Sequence, residues 1–330
     1  MWIWVAGVLG AVAVAALVAG CSGSATTAAG GKGGGVKVVR LTAEPIIRPE
    51  MLPKEDGKNI NGPSLIKAPA WLEKPLGKYY LYFAHHAGQY IRLAYADDLK
   101  GPWKVYEPGT LRLEQVAGAV GHIASPDVLV DQERREIRMY FHGRVEGAGQ
   151  QSFLAISKDG LTFKANAQPI ANSYLRVFRW DGQYYGMAKA MQFYRSKDGL
   201  GVFELGPNPW LVKRVNYGGP RHVAVGLRGD KLWVYYSSIG DEPERILRCP
   251  VELKGDWSTW QLGPIDEVLR PEGKAEGADL PVEKSVMGAA KGREHALRDP
   301  AIYVENGRTY LLYSVAGESG LGIAEVVEGR

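Results

Sequence analysis

Five repeats of one strand pattern predict an all-β chain folded as a five-bladed β-propeller. Two further observations agree. Aromatic residues and glycine are abundant (Trp 9, Tyr 17, Phe 7, Gly 42), a mixture that suits short strands and tight turns better than a helical bundle. A Ser-Lys-Asp-Gly turn also recurs at the same place in the repeat. A β-sandwich is the competing reading, but it has no need of a returning turn signature.

Each unit opens with an extended apolar segment and a turn. An aromatic-rich strand follows: Tyr79-Tyr80-Leu81-Tyr82-Phe83, Ile137-Arg138-Met139-Tyr140-Phe141, Tyr184-Tyr185-Gly186-Met187, Leu232-Trp233-Val234-Tyr235-Tyr236 and Thr309-Tyr310-Leu311-Leu312-Tyr313. Turn signals such as Asp181-Gly182 and Asn306-Gly307 precede them. A second strand comes next, for example Tyr90 to Tyr95 or Ser152 to Ile156, and then a polar turn closed by an apolar or aromatic residue, as in Ser157-Lys158-Asp159-Gly160-Leu161-Thr162-Phe163. Units of about 50 to 60 residues fit the chain five times. Such a unit cannot bury both faces of its own sheet, and radial stacking solves that problem. The last unit runs out of chain after its second strand. Residues 36–47 are apolar enough to supply the missing outer strand and close the ring.

The N-terminus reads as an address. Residues 1–20 are one apolar run ending in Leu17-Val18-Ala19-Gly20 before Cys21. This matches a lipoprotein signal in which Cys21 is acylated and becomes the new N-terminus. An uncleaved membrane anchor is the alternative, since about 20 apolar residues can span a bilayer. Residues 21–40 read as the lipidated cysteine and a Gly/Ser/Ala tether, and residues 41–330 as the propeller. Ser22 after the cysteine favours the outer membrane of a bacterial envelope, facing the periplasm or the surface. Cys249 is then a lone thiol with no Cys-His frame around it, and two cysteines make no disulfide framework.

The net charge is +4, from 40 basic and 36 acidic residues. No basic stripe is present, so nucleic acid is not an expected partner. No dinucleotide, P-loop, His-Glu-x-x-His or Gly-x-Ser-x-Gly motif appears. A monomer is expected.

In a propeller the first strand of each blade starts near the axis, and the second strand returns to the same end. The starts are Asn59 to Leu65, His122 to Val128, Ser173 to Arg176, Pro220 to Val223 and Leu297 to Ile302; the returns include His85-His86, His142-Gly143, Ser237-Ser238 and Ser314. The chain has 6 histidines, and His85, His86, His122, His142 and His222 all fall at these positions. With Asn61, Arg176, Arg221 and Arg298 they predict a polar pocket at one end of the axis.

Arg298-Asp299-Pro300-Ala301-Ile302, followed by Thr309-Tyr310-Leu311-Leu312-Tyr313-Ser314, resembles the blade motif of five-bladed glycoside hydrolases: the arabinanase, xylosidase, invertase and levansucrase group, family 43 included. Ser125-Pro126-Asp127-Val128 with its Met139-Tyr140-Phe141 strand is similar to a second copy. The resemblance implies a carbohydrate substrate and two carboxyls, one protonating the leaving oxygen and the other attacking the anomeric carbon or activating water. Asp299 beside Arg298 suits an ionised carboxylate, and Asp127 is the second axial carboxylate. The acid is sought in the long loop before the last blade, among Glu276, Asp279 and Glu283, with Glu283 preferred. The resemblance also brings a calcium ion as a candidate at the axis, held by His122 or His222 and water; no other cofactor is expected. One departure stands out. The group usually starts its first blade with an aspartate, and this chain has Asn61-Gly62-Pro63-Ser64 there. Either the role has moved to Asp127 or Asp299, or the pair is incomplete and the propeller only binds glycans.

Overall fold

Each blade is an antiparallel meander. In the computed structural model, which describes residues 36–213 and 219–327, the chain lays down β1 (Lys37–Arg40) and then the first blade, β2 (Asn61–Lys67), β3 (Tyr79–Ala84), β4 (Tyr90–Ala96) and β5 (Lys104–Arg112). The second blade holds β6 (Val120–Asp131), β7 (Glu136–Val145), β8 (Gly149–Ser157) and the short β9 (Lys164–Ala165) and β10 (Ala171–Asn172). The third holds β11 (Arg176–Trp180), β12 (Gln183–Ala188), β13 (Gln192–Ser196) and β14 (Glu204–Leu205). The fourth holds β15 (Pro220–Arg228), β16 (Lys231–Ser238), β17 (Ile246–Glu252) and β18 (Asp266–Leu269), and the fifth β19 (Arg298–Glu305), β20 (Arg308–Ser314) and β21 (Leu321–Val327). The chain is a five-bladed β-propeller. The expected signal over residues 1–20 and Cys21 lie outside the described residues. Among the described residues no helix is long and apolar enough to cross a membrane.

The fifth blade is completed by β1, which pairs antiparallel with β21 in the register Lys37↔Val327 to Arg40↔Ala324. The closing strand is therefore where its apolar character placed it, and the tether expected over residues 21–40 stops short of Lys37. The reason is edge pairing: an unpaired β21 would leave a row of backbone donors and acceptors open. Arg40 locks the junction, with Nε and Nη2 donating to Glu276 at 2.8 and 2.7 Å and Nη1 to Glu272 at 2.8 Å.

The core is divided by the blades. Apolar clusters fill each interface between neighbours: Leu81 and Phe83 meet Leu312 and Ile323 between the first and fifth blades, while Tyr140 and Leu154 meet Val177 and Tyr194 between the second and third. The recurring turn has a structural explanation. Ser157 Oγ accepts from Gly160 N at 2.8 Å, and Asp159 Oδ1 accepts from Leu161 N and Thr162 N, both at 2.8 Å. The Gly160 carbonyl then takes the hydroxyl of Tyr82 from the preceding blade at 2.9 Å. Tyr140 does the same to Gly199 one blade on, also at 2.9 Å. The signature is thus an inter-blade staple built from local side-chain caps.

Gly160 has φ +74°, and an added Cβ would lie 2.9 Å from the Tyr82 hydroxyl and 3.1 Å from Ile137. Gly147 has φ +75° with nothing within 4 Å. Gly160→Ala should cost at least about 1 kcal/mol more than Gly147→Ala, because only the former adds a clash to the shared backbone strain. Urea unfolding of both variants checks this, and equal losses would contradict the staple.

Candidate active site at the upper end of the axis

Bulges at the start of four of the five inner strands set two axial layers. Register shifts interrupt the pairing between Asn61 and Ser64, Ala124 and Asp127, Pro220 and Val223, and Arg298 and Ala301. Gly62, Ser125, Tyr174 and Asp299 carry φ values of 57°, 50°, 64° and 49° at the corresponding places. Non-glycine residues rarely hold this region, and bulges re-aim side chains. The upper layer is then Gly62, Ser125, Tyr174, His222 and Asp299. The lower layer is Ser64, Asp127, Arg176, Ala224 and Ala301, and all five line an axial cavity of about 510 Å³ that reaches Lys67, Glu305 and Asn306 at the far ends of the inner strands.

The upper layer and its surroundings form a connected polar group. His222 Nδ1 lies against the Asp299 carboxylate, whose Oδ2 accepts from Ser314 Oγ at 3.2 Å. Tyr174 stands between two imidazoles, 4.3 Å from His142 and 4.3 Å from His222 by ring centroids, and His122 follows His142 at 5.5 Å. Arg298, 1% exposed, donates from Nε to Glu244 at 2.7 Å and from Nη2 to Glu294 at 2.6 Å, and its Nη1 is 3.7 Å from Glu318. Glu244 also takes Arg221 Nε at 2.7 Å and Ser237 Oγ at 2.8 Å. Glu318 receives the Asn59 amide and lies 3.7 Å from His86 Nδ1.

Burial and charge sort these groups. Desolvation opposes ionisation of Glu318, yet the bonds from His86 and Asn59 and the Arg298 cation hold its carboxyl below the ordinary glutamate range. Burial, aided by the neighbouring His122, His86 and Arg176, drives His142 well below the usual imidazole range. Burial together with Arg221 and Arg176 does the same to His222, which leaves a neutral ring against the Asp299 carboxyl. Five buried atoms in this group have no hydrogen-bond partner: Asn61 Oδ1, His142 Nδ1, Arg298 Nη1, Asp299 Oδ1 and Glu318 Oε1. Buried polar atoms are seldom left unpaired, and here donors and acceptors are left open side by side.

The His142 shift has a measurable consequence. Its folded pKa lies below the 6.5 of a free imidazole, so below pH 6.5 the unfolded chain binds the extra proton. Stability is present above that pH and falls as the pH drops, by up to about 1.4 kcal/mol per pH unit for one such ring. His142→Gln should lower the pH dependence of the urea midpoint between pH 7.5 and 5.5 by about one proton's worth. An unchanged slope would contradict a buried neutral imidazole.

The structure brings together Asn61, His86, His122, His142, Arg221, His222, Arg298 and Asp299. It places four other sequence candidates elsewhere. Asp127 and Arg176 sit one layer down, where Asp127 Oδ2 accepts from Val177 N at 2.8 Å and Oδ1 is 3.5 Å from Arg176; burial raises the Asp127 carboxyl despite that cation. His85 caps its own turn, its Nδ1 accepting from Ala87 N at 3.0 Å. Glu283 is exposed and borders an outer cleft. Of its loop alternatives, Glu276 is consumed by Arg40, Glu272 N and the Tyr313 hydroxyl, and Asp279 faces Arg293 at 3.6 Å. Sequence reasoning missed Glu244, Glu294 and Glu318. Glu244 and Glu318 lie in the connections β16–β17 and β20–β21, which turn at the axial end; following the second strands one loop further would have found them. Among the described residues no three His, Cys, Asp or Glu side chains converge as metal ligands. His222 lies against Asp299, and His122 Nε2 is 3.3 Å from the Gln150 amide.

No family model matches the chain. It is 38% identical over 320 residues to Uncharacterized protein R118 of Acanthamoeba polyphaga mimivirus, covering 88% of this chain and 90% of that protein. Among solved structures it is similar to CoXyl43, a family 43 β-xylosidase/α-arabinofuranosidase from a compost metagenome in complex with xylotriose, with TM-score 0.58 and 14% identity over 88% of this chain and 95% of that one. It is also similar to a GH43_1 enzyme from Xanthomonas citri complexed with xylose, with TM-score 0.56 and 12% identity over 88% and 90% of the two chains. An exo-1,5-α-L-arabinanase from a bovine ruminal metagenomic library gives 0.51 and 13% over 82% and 93%. At these identities the likeness is one of fold: the five-bladed propeller of the family 43 glycoside hydrolases.

Proposed function

The chain belongs to the family of the mimivirus protein R118, and from that premise and its propeller fold we propose that it is a glycoside hydrolase working at the upper end of the axis. The observation that carries this reading is the set of five unpartnered buried atoms on Asn61, His142, Arg298, Asp299 and Glu318. A sugar hydroxyl both donates and accepts, so one pyranose or furanose unit satisfies such a mixed set. The solved structures of the same fold that hold xylose or xylotriose support a carbohydrate ligand. The lipid anchor at Cys21 and a place at the cell envelope belong to the same proposal, on the strength of the N-terminal pattern.

Two carboxyls divide the work. Glu318 stays ionised in its cage of Asn59, His86 and Arg298, and serves as the base or nucleophile. Asp299 stands as the carboxylic acid against the neutral His222 ring; its proton passes to the leaving oxygen, and the carboxylate that results takes one back from water. Arg298 orients Glu318 and is itself fixed by Glu244. The aspartate missing before Pro63 is thus replaced in role by residues of the fifth blade.

A panel of aryl furanosides and pyranosides tests the proposal. Turnover of at least one, lost in Asp299→Asn, supports it. Saturable glycan binding without turnover of any member would overturn it in favour of a binding protein.

A further inference from the structure

We propose that the cleft between residues 280–286 and 291–296 binds a flat aromatic anion and is the leaving-group side of the upper axial site; the second half rests on the glycosidase reading, the first does not. The cleft has a volume of about 400 Å³. Leu280, Pro281, Val286 and Ala296 give it apolar walls, and Lys284, Lys291 and Arg293 stand around it. His295 is oriented there by a contact of 2.9 Å from Nδ1 to the Leu280 carbonyl.

The charges in the cleft do not cancel. Of its two carboxylates, Glu294 is already bound by Arg298 Nη2 at 2.6 Å and by Lys291 N at 3.0 Å. Lys284 and Lys291 are exposed, and among the described residues neither has a carboxylate within ion-pair distance. Arg293 lies 3.6 Å from Asp279 and gives Nη2 to the Lys274 carbonyl at 2.5 Å. Two ammonium groups and a partly engaged guanidinium therefore face Glu283 alone.

The apolar side of the cleft is exposed on a segment that is held in place. Ser285 N donates to the Asp241 carbonyl at 2.9 Å, Gly240 N to the Ser285 carbonyl at 3.0 Å, and Arg221 to the carbonyls of Val286 and Gly288 at 2.5 and 3.0 Å. Val282, Val286 and Met287 nevertheless remain 48%, 58% and 76% exposed. Three large apolar side chains open to water within six residues of a pinned loop mark a contact surface. Its position is set by two residues shared with the axial group: Glu294 lines the cleft and holds Arg298, and Arg221 ties the loop to Glu244. Apolar walls with cations at the rim match an aryl carboxylate, whose ring lies on Leu280, Pro281 and Val286 while its charge meets Lys284 and Lys291. A second neutral sugar would find few convergent hydrogen-bond groups there.

The test titrates the full chain with 4-hydroxybenzoate and its neutral isostere 4-hydroxybenzamide at low ionic strength. The acid should bind saturably and at least about tenfold more tightly than the amide, and should weaken as salt screens the lysines. The double variant Lys284→Glu/Lys291→Glu should weaken the acid about tenfold or more, with an unchanged melting temperature and unchanged affinity for the amide. Equal binding of acid and amide, no binding of either, or indifference to the charge reversal overturns the cleft assignment. A second arm uses a glycoside that the wild type cleaves, carrying a 4-carboxyphenyl or a 4-carbamoylphenyl leaving group. The double variant should lose about tenfold in kcat/KM on the former only. Turnover that ignores the variant sinks the leaving-group role and spares the glycosidase reading. Aryl carboxylate binding with no turnover of any glycoside sinks the glycosidase reading and spares the cleft.

Discussion

Asp299→Asn should lower kcat on a susceptible glycoside by roughly 10³-fold with little change in KM, the range by which a positioned acid or base contributes. The substitution keeps the shape of a side chain that is 1% exposed, and the amide still accepts from Ser314 Oγ. What it removes is the carboxyl that lies against His222 Nδ1, and with it the proton that Asp299 delivers. Unfolding by urea, measured beside the kinetics, should shift far less than the rate. Asp127→Asn is the comparison, because Asp127 lies a layer deeper on the lower cavity, and its turnover should stay within about tenfold of wild type. Full activity in Asp299→Asn would remove Asp299 from the chemistry.

Glu318→Gln should also cost roughly 10² to 10⁴ in kcat/KM, and unlike the first variant it should change the acid limb of stability. The folded carboxyl lies below the ordinary value of 4.5. Its contribution is therefore complete above that value and is lost as the pH falls through the lower, folded one. Glutamine cannot titrate, so the variant should lose less stability than wild type between about pH 5 and pH 3 while starting from a lower value at pH 7. The starting loss reflects Arg298 and His86 facing a neutral amide. Parallel acid limbs in the two proteins would show that Glu318 is not held ionised by its neighbours.

The repeat was legible because its cause is local. Ser157, Asp159 and Gly160 cap one turn by themselves, and Tyr82 or Tyr140 staples such a turn from the previous blade, so the same letters return wherever that geometry does. The axial position of the inner-strand starts was legible for the same reason: strand direction alternates, and His122, His142, His222 and Asp299 follow from it. The carboxylate partners were not. Glu244 and Glu318 sit in short connections and Glu294 in the long loop before the last blade, all without a periodic pattern, and only three-dimensional closure brings them to Arg298. Asp127 and Asp299 look alike in the sequence, each beside a proline, but Asp127 follows Pro126 and Asp299 precedes Pro300. That offset of two places across the bulge puts them in different layers. Glu283 was chosen for its loop, and the loop does lie against Arg221, but through the carbonyls of Val286 and Gly288 rather than through an acid.

The pairing of Lys37–Arg40 with β21 has a consequence for biosynthesis. β1 has its permanent neighbour in the last strand of the fifth blade, so it must wait through the synthesis of all five blades with one edge unclaimed. Four blades can assemble as they emerge, each against the one before, but the circle cannot shut until β21 has emerged. Contacts so far apart in sequence are slow to form, and an idle edge invites strangers. A nascent chain stalled before residue 321 would therefore be an open crescent with a loose leading strand, and holding that strand apart from other chains is the task that falls to the cell's folding machinery.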